Sequence, residues 1–194
     1  MDIAFVLGNG VSRQGLPLND IKSHGHIYGC NALYRDFVPE VLVATDTPIA
    51  KTIEESGYPL KNKFYTRRPT PGLGGLLIPR PYFGFSSGPV ATALAATNGH
   101  TKIYMIGFDM GPIDNRFNNL YAGTEFYKKP DSPPTYTGNW TKQIQQICKT
   151  FPDVKFVRVC GATTARLTDL DGIKNLDHLP MERFLDRLNK LKDF

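Results

Sequence analysis

Short apolar runs rich in β-branched and aromatic residues recur along this chain, separated by turn residues and helical patterns. Six of them stand out, at residues 3–7, 27–30, 41–45, 63–66, 102–106 and 154–159, and each reads as a strand. Residues 49–56, 89–97 and 140–150 have helix length and composition. Residues 180–192 form an amphipathic helix with Met181, Phe184, Leu185, Leu188 and Leu191 on one face. This alternation predicts an α/β fold: a single Rossmann-like domain spanning residues 1–194, with a mostly parallel sheet and helices on both faces. Such sheets bind ligands beyond the carboxyl ends of their strands, so the loops after Leu7, Cys30, Thr45 and Ile106 are where function is expected.

Length and composition agree with one domain: 194 residues, 41% hydrophobic and 21% charged. The net charge of +5 suits an anionic small molecule such as a nucleotide. A polynucleotide is disfavoured, because the densest basic clusters are only Arg67-Arg68, Lys128-Lys129 and the Arg187, Lys190, Lys192 group. Cys30, Cys148 and Cys160 cannot all pair within the chain, which points to a reducing compartment and to buried packing as their usual fate. The apolar N-terminus is too short for a signal segment or a membrane span, so the expectation is a cytoplasmic protein. His24, His26, His100 and His178 show no metal-ligand spacing. His100, in a helix-ending turn, is expected at the surface.

Two stretches break the alternation. Residues 69–85 are dense in Pro and Gly and must form an irregular loop, with a short strand at 76–78. Residues 111–139 form a longer irregular loop or lid after the Asp109 strand, whose aromatic residues Phe117, Tyr121, Phe126, Tyr127 and Tyr136 are expected to pack on the core or on a ligand.

Four motifs fall at the expected strand ends. Gly8-Asn9-Gly10-Val11-Ser12 puts a glycine turn directly after the first strand, where a phosphate or sugar can approach the backbone; it lacks the third glycine of a dinucleotide fingerprint. Asn31 ends the second strand and either offers its amide to a base or ribose edge or caps the following turn. Ser86-Ser87-Gly88-Pro89 precedes an alanine-rich helix, where Ser86 or Ser87 serves as N-cap and open amides form an anion site. Asp46 and Asp109 each bring a carboxylate to a strand end, and two such groups can hold Mg²⁺ or act as a base. For Asp46 the favoured role is capping the next helix; for Asp109 it is function. Thr168-Asp169-Leu170-Asp171-Gly172 reads as a turn, since it lacks the further oxygen ligands of a calcium loop.

The order of these motifs resembles that of the bacterial sialyltransferases of glycosyltransferase family 42, and of the wider group holding flagellin-modifying proteins and 6-hydroxymethylpterin pyrophosphokinases. The resemblance covers Ile3 to Tyr121 through G-N-G-x-S, C-N-x-x-Y, S-S-G and I-Y-M-I-G-F-D. It implies that Asn9, Asn31 and Ser87 contact a cytidine nucleotide donor, with Gly8, Gly10 and Gly88 shaping the backbone around it and Ser12 and Ser86 beside it. It also implies that Tyr121 holds the donor phosphate. The family's histidine base has no aligned counterpart, and His178 is a remote candidate; Asp109 is the preferred base. The implied reaction moves a sugar from a nucleotide-sugar donor, a CMP-sugar favoured, to the hydroxyl of a small-molecule or glycan acceptor. It requires no cofactor and no metal, with Arg13 and the helix-start amides steadying the leaving group. Two other readings stay open: a Mg²⁺-dependent pyrophosphokinase using ATP, with Asp46 and Asp109 as metal ligands, and a non-catalytic nucleotide-binding or interaction protein. A homo-oligomer is compatible with each.

Overall fold

Alternate residues of the central strands enter two separate apolar cores. Ala4 and Val6 pack into one, Phe5 and Leu7 into the other, because successive strand side chains point to opposite faces. A strand that is apolar on both faces needs a covering layer on each side. Full burial of a side chain such as Phe5 or Leu7 contributes about 1.5–3 kcal/mol, so neither face can be left to water.

A computed structural model describes residues 2–190. Its strands are β1 (Ile3–Leu7), β2 (His26–Cys30), β3 (Val41–Val43), β4 (Lys63–Thr66), β5 (Leu76–Leu77), β6 (Lys102–Ile106), β7 (Lys155–Cys160) and β8 (Leu176–Pro180). The helices are α1 (Leu18–Lys22), α2 (Thr47–Glu55), α3 (Ser87–Thr97), α4 (Gly138–Thr150) and α5 (Met181–Lys190). All eight strands join one parallel sheet in the order β5-β4-β3-β2-β1-β6-β7-β8. The architecture is Rossmann-like. The chain winds outward from β1 to β5, then returns to place β6 on the other side of β1, so the order reverses between β1 and β6.

One face of the sheet carries α3 and α4, the other α1, α2 and α5. The alanines of α3 are buried throughout, and their small side chains let this helix rest on β1, β2, β3 and β6. In α5, Phe184 and Leu188 enter the core while Met181 and Leu185 pack at its rim; Leu191 and Lys192 lie outside the described residues. No helix among the described residues is long and apolar enough to cross a membrane.

Several expectations need correction. Pro180 closes β8 rather than opening the last helix, and neither β8 nor α1 was expected. His100 is buried, not at the surface: its Nε2 meets the Tyr28 hydroxyl at 2.9 Å and its ring packs 4.8 Å from that of His26. The 69–85 loop does contain the short strand, as β5, followed by a 3-10 turn at Arg80–Tyr82.

Candidate functional site

The reversal of strand order leaves a crevice where the turns after β1 and β6 meet. The Gly8 amide donates to the Ile106 carbonyl at 2.8 Å, and the Gly10 amide to the Gly107 carbonyl at 2.9 Å. Only glycines allow this approach. A Cβ on Gly10 would sit 2.4 Å from Asp109 Cγ, and one on Gly107, whose φ is 76°, would sit 2.5 Å from the Gly8 carbonyl oxygen.

Above the crevice lies a cavity of about 430 Å³, within the size range of small-molecule sites. It gathers Gly8, Asn9 and Gly10 from the first turn, Asn31 from the second, Asp46 from the third, Ser86, Ser87 and Gly88 from the start of α3, and Asp109 from the fourth. The 111–139 segment forms the opposite wall through Phe117, Phe126, Tyr127, Lys128 and Tyr136. Expected site residues Ser12 and Tyr121 lie outside this wall.

Ser87 locks three elements together. Its hydroxyl donates to Asn31 Oδ1 at 3.2 Å and accepts from the Thr45 amide at 3.0 Å. Since a hydroxyl has one hydrogen, the 3.0 Å contact with Thr45 Oγ1 is donated by the threonine. Asn31 sits in the left-handed region with φ 54°, and among the described residues nothing accepts from its amide nitrogen. Its side chain caps no turn, and the residue lines the cavity with both amide hydrogens uncommitted among the described residues. Beside it, Ser86 occupies the N-cap position of α3 without making a side-chain cap bond. The Ser86 amide is taken by Gln143 Oε1 at 2.9 Å. The Ser87 and Gly88 amides, in the first helical turn, have no intrahelical acceptor, and Pro89 has no N–H to offer. Two open amides and the positive end of an 11-residue helix thus meet the cavity.

Asn9 is less available than its position suggests. Its Oδ1 accepts from Arg13 Nη2 at 2.9 Å and its Nδ2 donates to the Cys30 carbonyl at 3.1 Å, leaving one amide hydrogen for a ligand. Arg13 turns under the glycine loop, donating from Nε to the Gly8 carbonyl at 2.6 Å. It is buried away from the cavity and cannot steady a leaving group there. Lys128, its Nζ 5.4 Å from the Phe117 ring centroid, is the one Lys or Arg in the wall among the described residues.

Asp109 is a clamp. Its Oδ1 accepts from the Ser12 and Thr164 hydroxyls, and its Oδ2 from the Ser12 amide at 3.0 Å, Asn118 Nδ2 at 3.1 Å and the Thr163 hydroxyl at 2.7 Å. A carboxylate has about four lone-pair sites, and five donors saturate it. No oxygen is left to take a proton from a substrate or to bind a metal. Arg158, also buried, supports the same turn from below by donating to the Phe108 and Asp109 carbonyls. Desolvation lowers the pKa of its guanidinium.

The Tyr121 hydroxyl faces the other core and donates to Asp36 Oδ2 at 2.7 Å. Burial pushes its pKa up to about 12, with Asp36 adding to the rise and Arg13 opposing it. The tyrosines that reach the cavity are Tyr127 and Tyr136. The Tyr127 hydroxyl accepts from the Ala32 amide at 3.3 Å, and burial raises its pKa as well.

Asp46 holds the N-cap position of α2, with Pro48 in the first turn, yet its side chain makes no cap bond. Its exposed carboxylate, which has no hydrogen-bond or ion-pair partner among the described residues, faces the cavity. His178 lies on β8, outside the wall, with its Nδ1 4.0 Å from Cys160 Sγ. A second, more open cavity of about 470 Å³ lies at the amino edge of the sheet, among His26, Tyr28, Glu40, Lys63 and His100.

Comparison of the chain with protein-family models, curated proteins and solved structures gives no match. The likeness to the sialyltransferases therefore rests on motif order alone.

Proposed function

We propose that this chain binds a nucleotide-sugar, a CMP-sugar favoured, in the switch-point cavity and transfers the sugar to an acceptor hydroxyl. The observation that carries the reading is the complement of groups with bonding capacity to spare at one cavity: the Ser87 and Gly88 amides, the Asn31 amide nitrogen, the Asp46 carboxylate, and Lys128, whose Nζ donates to Thr135 Oγ1 at 3.2 Å and keeps two further hydrogens. The amides and Lys128 suit a phosphate, whose charge grows as it leaves the anomeric carbon. Asn31 offers donors to a base or ribose edge. The aromatic side chains of the 111–139 wall supply the apolar surface that ligand sites of this size use.

In this reading the base is Asp46 in place of Asp109. A general base needs a free lone pair within reach of the acceptor hydroxyl, and Asp46 has one. Asp46→Asn is expected to lower turnover about 10²–10⁴-fold while nucleotide affinity stays near wild type, read as release of free nucleotide from CMP-sugar with an acceptor present. Unchanged turnover in Asp46→Asn would remove the residue from that role.

The pyrophosphokinase reading has less support. It needs Asp46 and Asp109 to share Mg²⁺, and the Asp109 oxygens are already committed to five protein donors. A protein that binds nucleotide yet turns over no donor would favour the non-catalytic reading.

A further inference from the structure

Residues 56–108 contain none of the chain's 18 acidic residues, yet they hold Lys61, Lys63, Arg67, Arg68, Arg80 and Lys102. This stretch alone carries more positive charge than the whole chain's net +5. Lys102 belongs to the sheet centre, its Nζ 5.3 Å from the Tyr104 ring centroid. The other five belong to β4, to the turn before it and to the loops beyond β4 and β5, at the sheet edge that β5 forms. Thr66 pairs with Leu77, so Arg67 and Arg68 leave the carboxyl end of β4 beside the chain that runs from β5 to Arg80. Arg67 donates to the Phe83 carbonyl at 2.8 Å and the Phe85 carbonyl at 2.9 Å, which ties the following loop to this edge. No ion pair among the described residues involves the stretch.

The same edge exposes apolar side chains. Leu60, Leu76, Leu77 and Phe83 are among the exposed large apolar side chains, and all four fall in this stretch. Leu76 and Leu77 are consecutive in a strand and point to opposite faces, yet they are 41% and 55% exposed. Leu60 joins them because the Gly74 backbone packs on Pro59 and Leu60. β5 has only two residues, too few to template an added strand. The Glu54 carboxylate reaches this edge from α2, but it is buried and committed to the Thr70 amide and hydroxyl, so the exposed cationic side chains interleaved with aliphatic and aromatic ones match the chemistry of an anionic lipid surface. A soluble polyanion would use the charges and leave the leucines unexplained.

We propose that the β4–β5 edge docks the protein onto an anionic bilayer surface, with Arg68, Arg80 and Lys61 among the headgroups and Leu60, Leu77 and Phe83 in the interface. This inference does not depend on the nucleotide reading. It is tested by co-sedimentation of the full chain with vesicles of phosphatidylcholine alone and of phosphatidylcholine with phosphatidylserine, at low and high salt. The expected result is binding to the anionic vesicles only, weakened by salt. Each basic residue at a membrane surface strengthens binding about fivefold, so Arg68→Ala/Arg80→Ala is expected to weaken it about 25-fold. Leu77→Ser is expected to weaken it as well. These side chains are exposed, so melting temperatures are expected to stay at wild type, and that check separates lost docking from lost folding. Four results would overturn the proposal: no preference for anionic vesicles, undiminished binding by both variants, equal charge-dependent retention on single-stranded DNA, or a dimer in light scattering that Leu77→Ser dissociates.

Discussion

Gly10 and Asp109 are in such close contact that a Cβ on the glycine would fall 2.4 Å from Asp109 Cγ. That contact joins the turn after β1 to the turn after β6 and sets the floor of the cavity. The carboxylate then draws in Ser12, Asn118, Thr163 and Thr164, so one buried charge organises three separate loops.

Asp109→Asn is therefore expected to act on stability first. It puts an N–H₂ group against donors and leaves some of them unpaired, for a loss of about 2–4 kcal/mol. Urea unfolding measures this as a lower midpoint at unchanged slope. Wild-type stability combined with lost turnover would instead restore Asp109 as the base.

Gly10→Ala is expected to destabilise by about 1–3 kcal/mol through overpacking against Asp109. A melting temperature equal to wild type would show that the two turns can separate, contrary to the geometry described.

Tyr121→Phe removes a hydroxyl bonded to Asp36, away from the cavity. The expected loss is about 0.5–1.5 kcal/mol of stability, with nucleotide affinity unchanged in calorimetry. A fall in affinity of tenfold or more would place Tyr121 on the ligand after all.

Burial raises the Cys30 and Cys148 thiols from 9.0 to about 12, and the Tyr58 and Tyr121 hydroxyls from 10.0 to about 12. Each group holds its proton more tightly when folded. The stability tied to it is fully present below the unfolded pKa and is lost as pH rises through the folded one. Unfolding free energy is expected to fall between pH 9 and about 12, and Cys30 and Cys148 are expected to resist thiol reagents in the native protein at pH 8. Flat stability to pH 12, or rapid labelling of Cys30, would contradict the burial described.

The strands at the sheet centre were legible as apolar runs, as Ile3–Leu7 and Ile103–Ile106 illustrate. β8 was not: Leu-Asp-His-Leu-Pro has two leucines among polar residues and ends in proline, a pattern that an edge strand pairing only with β7 tolerates. The glycine turn, Asn31 and Ser86 to Gly88 were readable as strand-end and helix-start signals. Their convergence on one cavity comes from the strand order, which no local pattern encodes. The five donors on Asp109 come from positions scattered between Ser12 and Thr164, so its role as a clamp was hidden. The choice between Tyr121 and Tyr127 was equally hidden, since an irregular loop has no period to tell inward from outward. Asp46 was mistaken for a cap because its position is right and only its side-chain direction differs.

The most direct test of the account is thermal-shift binding of CMP, UDP, GDP, ADP and ATP, each with and without Mg²⁺, to wild type and Asn31→Ala. A ligand at 100 times its Kd stabilises the native state by about 2.7 kcal/mol, which a melting curve resolves easily. The account predicts a metal-independent rise in Tm with CMP that is lost or much reduced in Asn31→Ala, each protein being compared with its own unliganded baseline. No shift with any nucleotide, or a shift only with ATP and Mg²⁺, would contradict it.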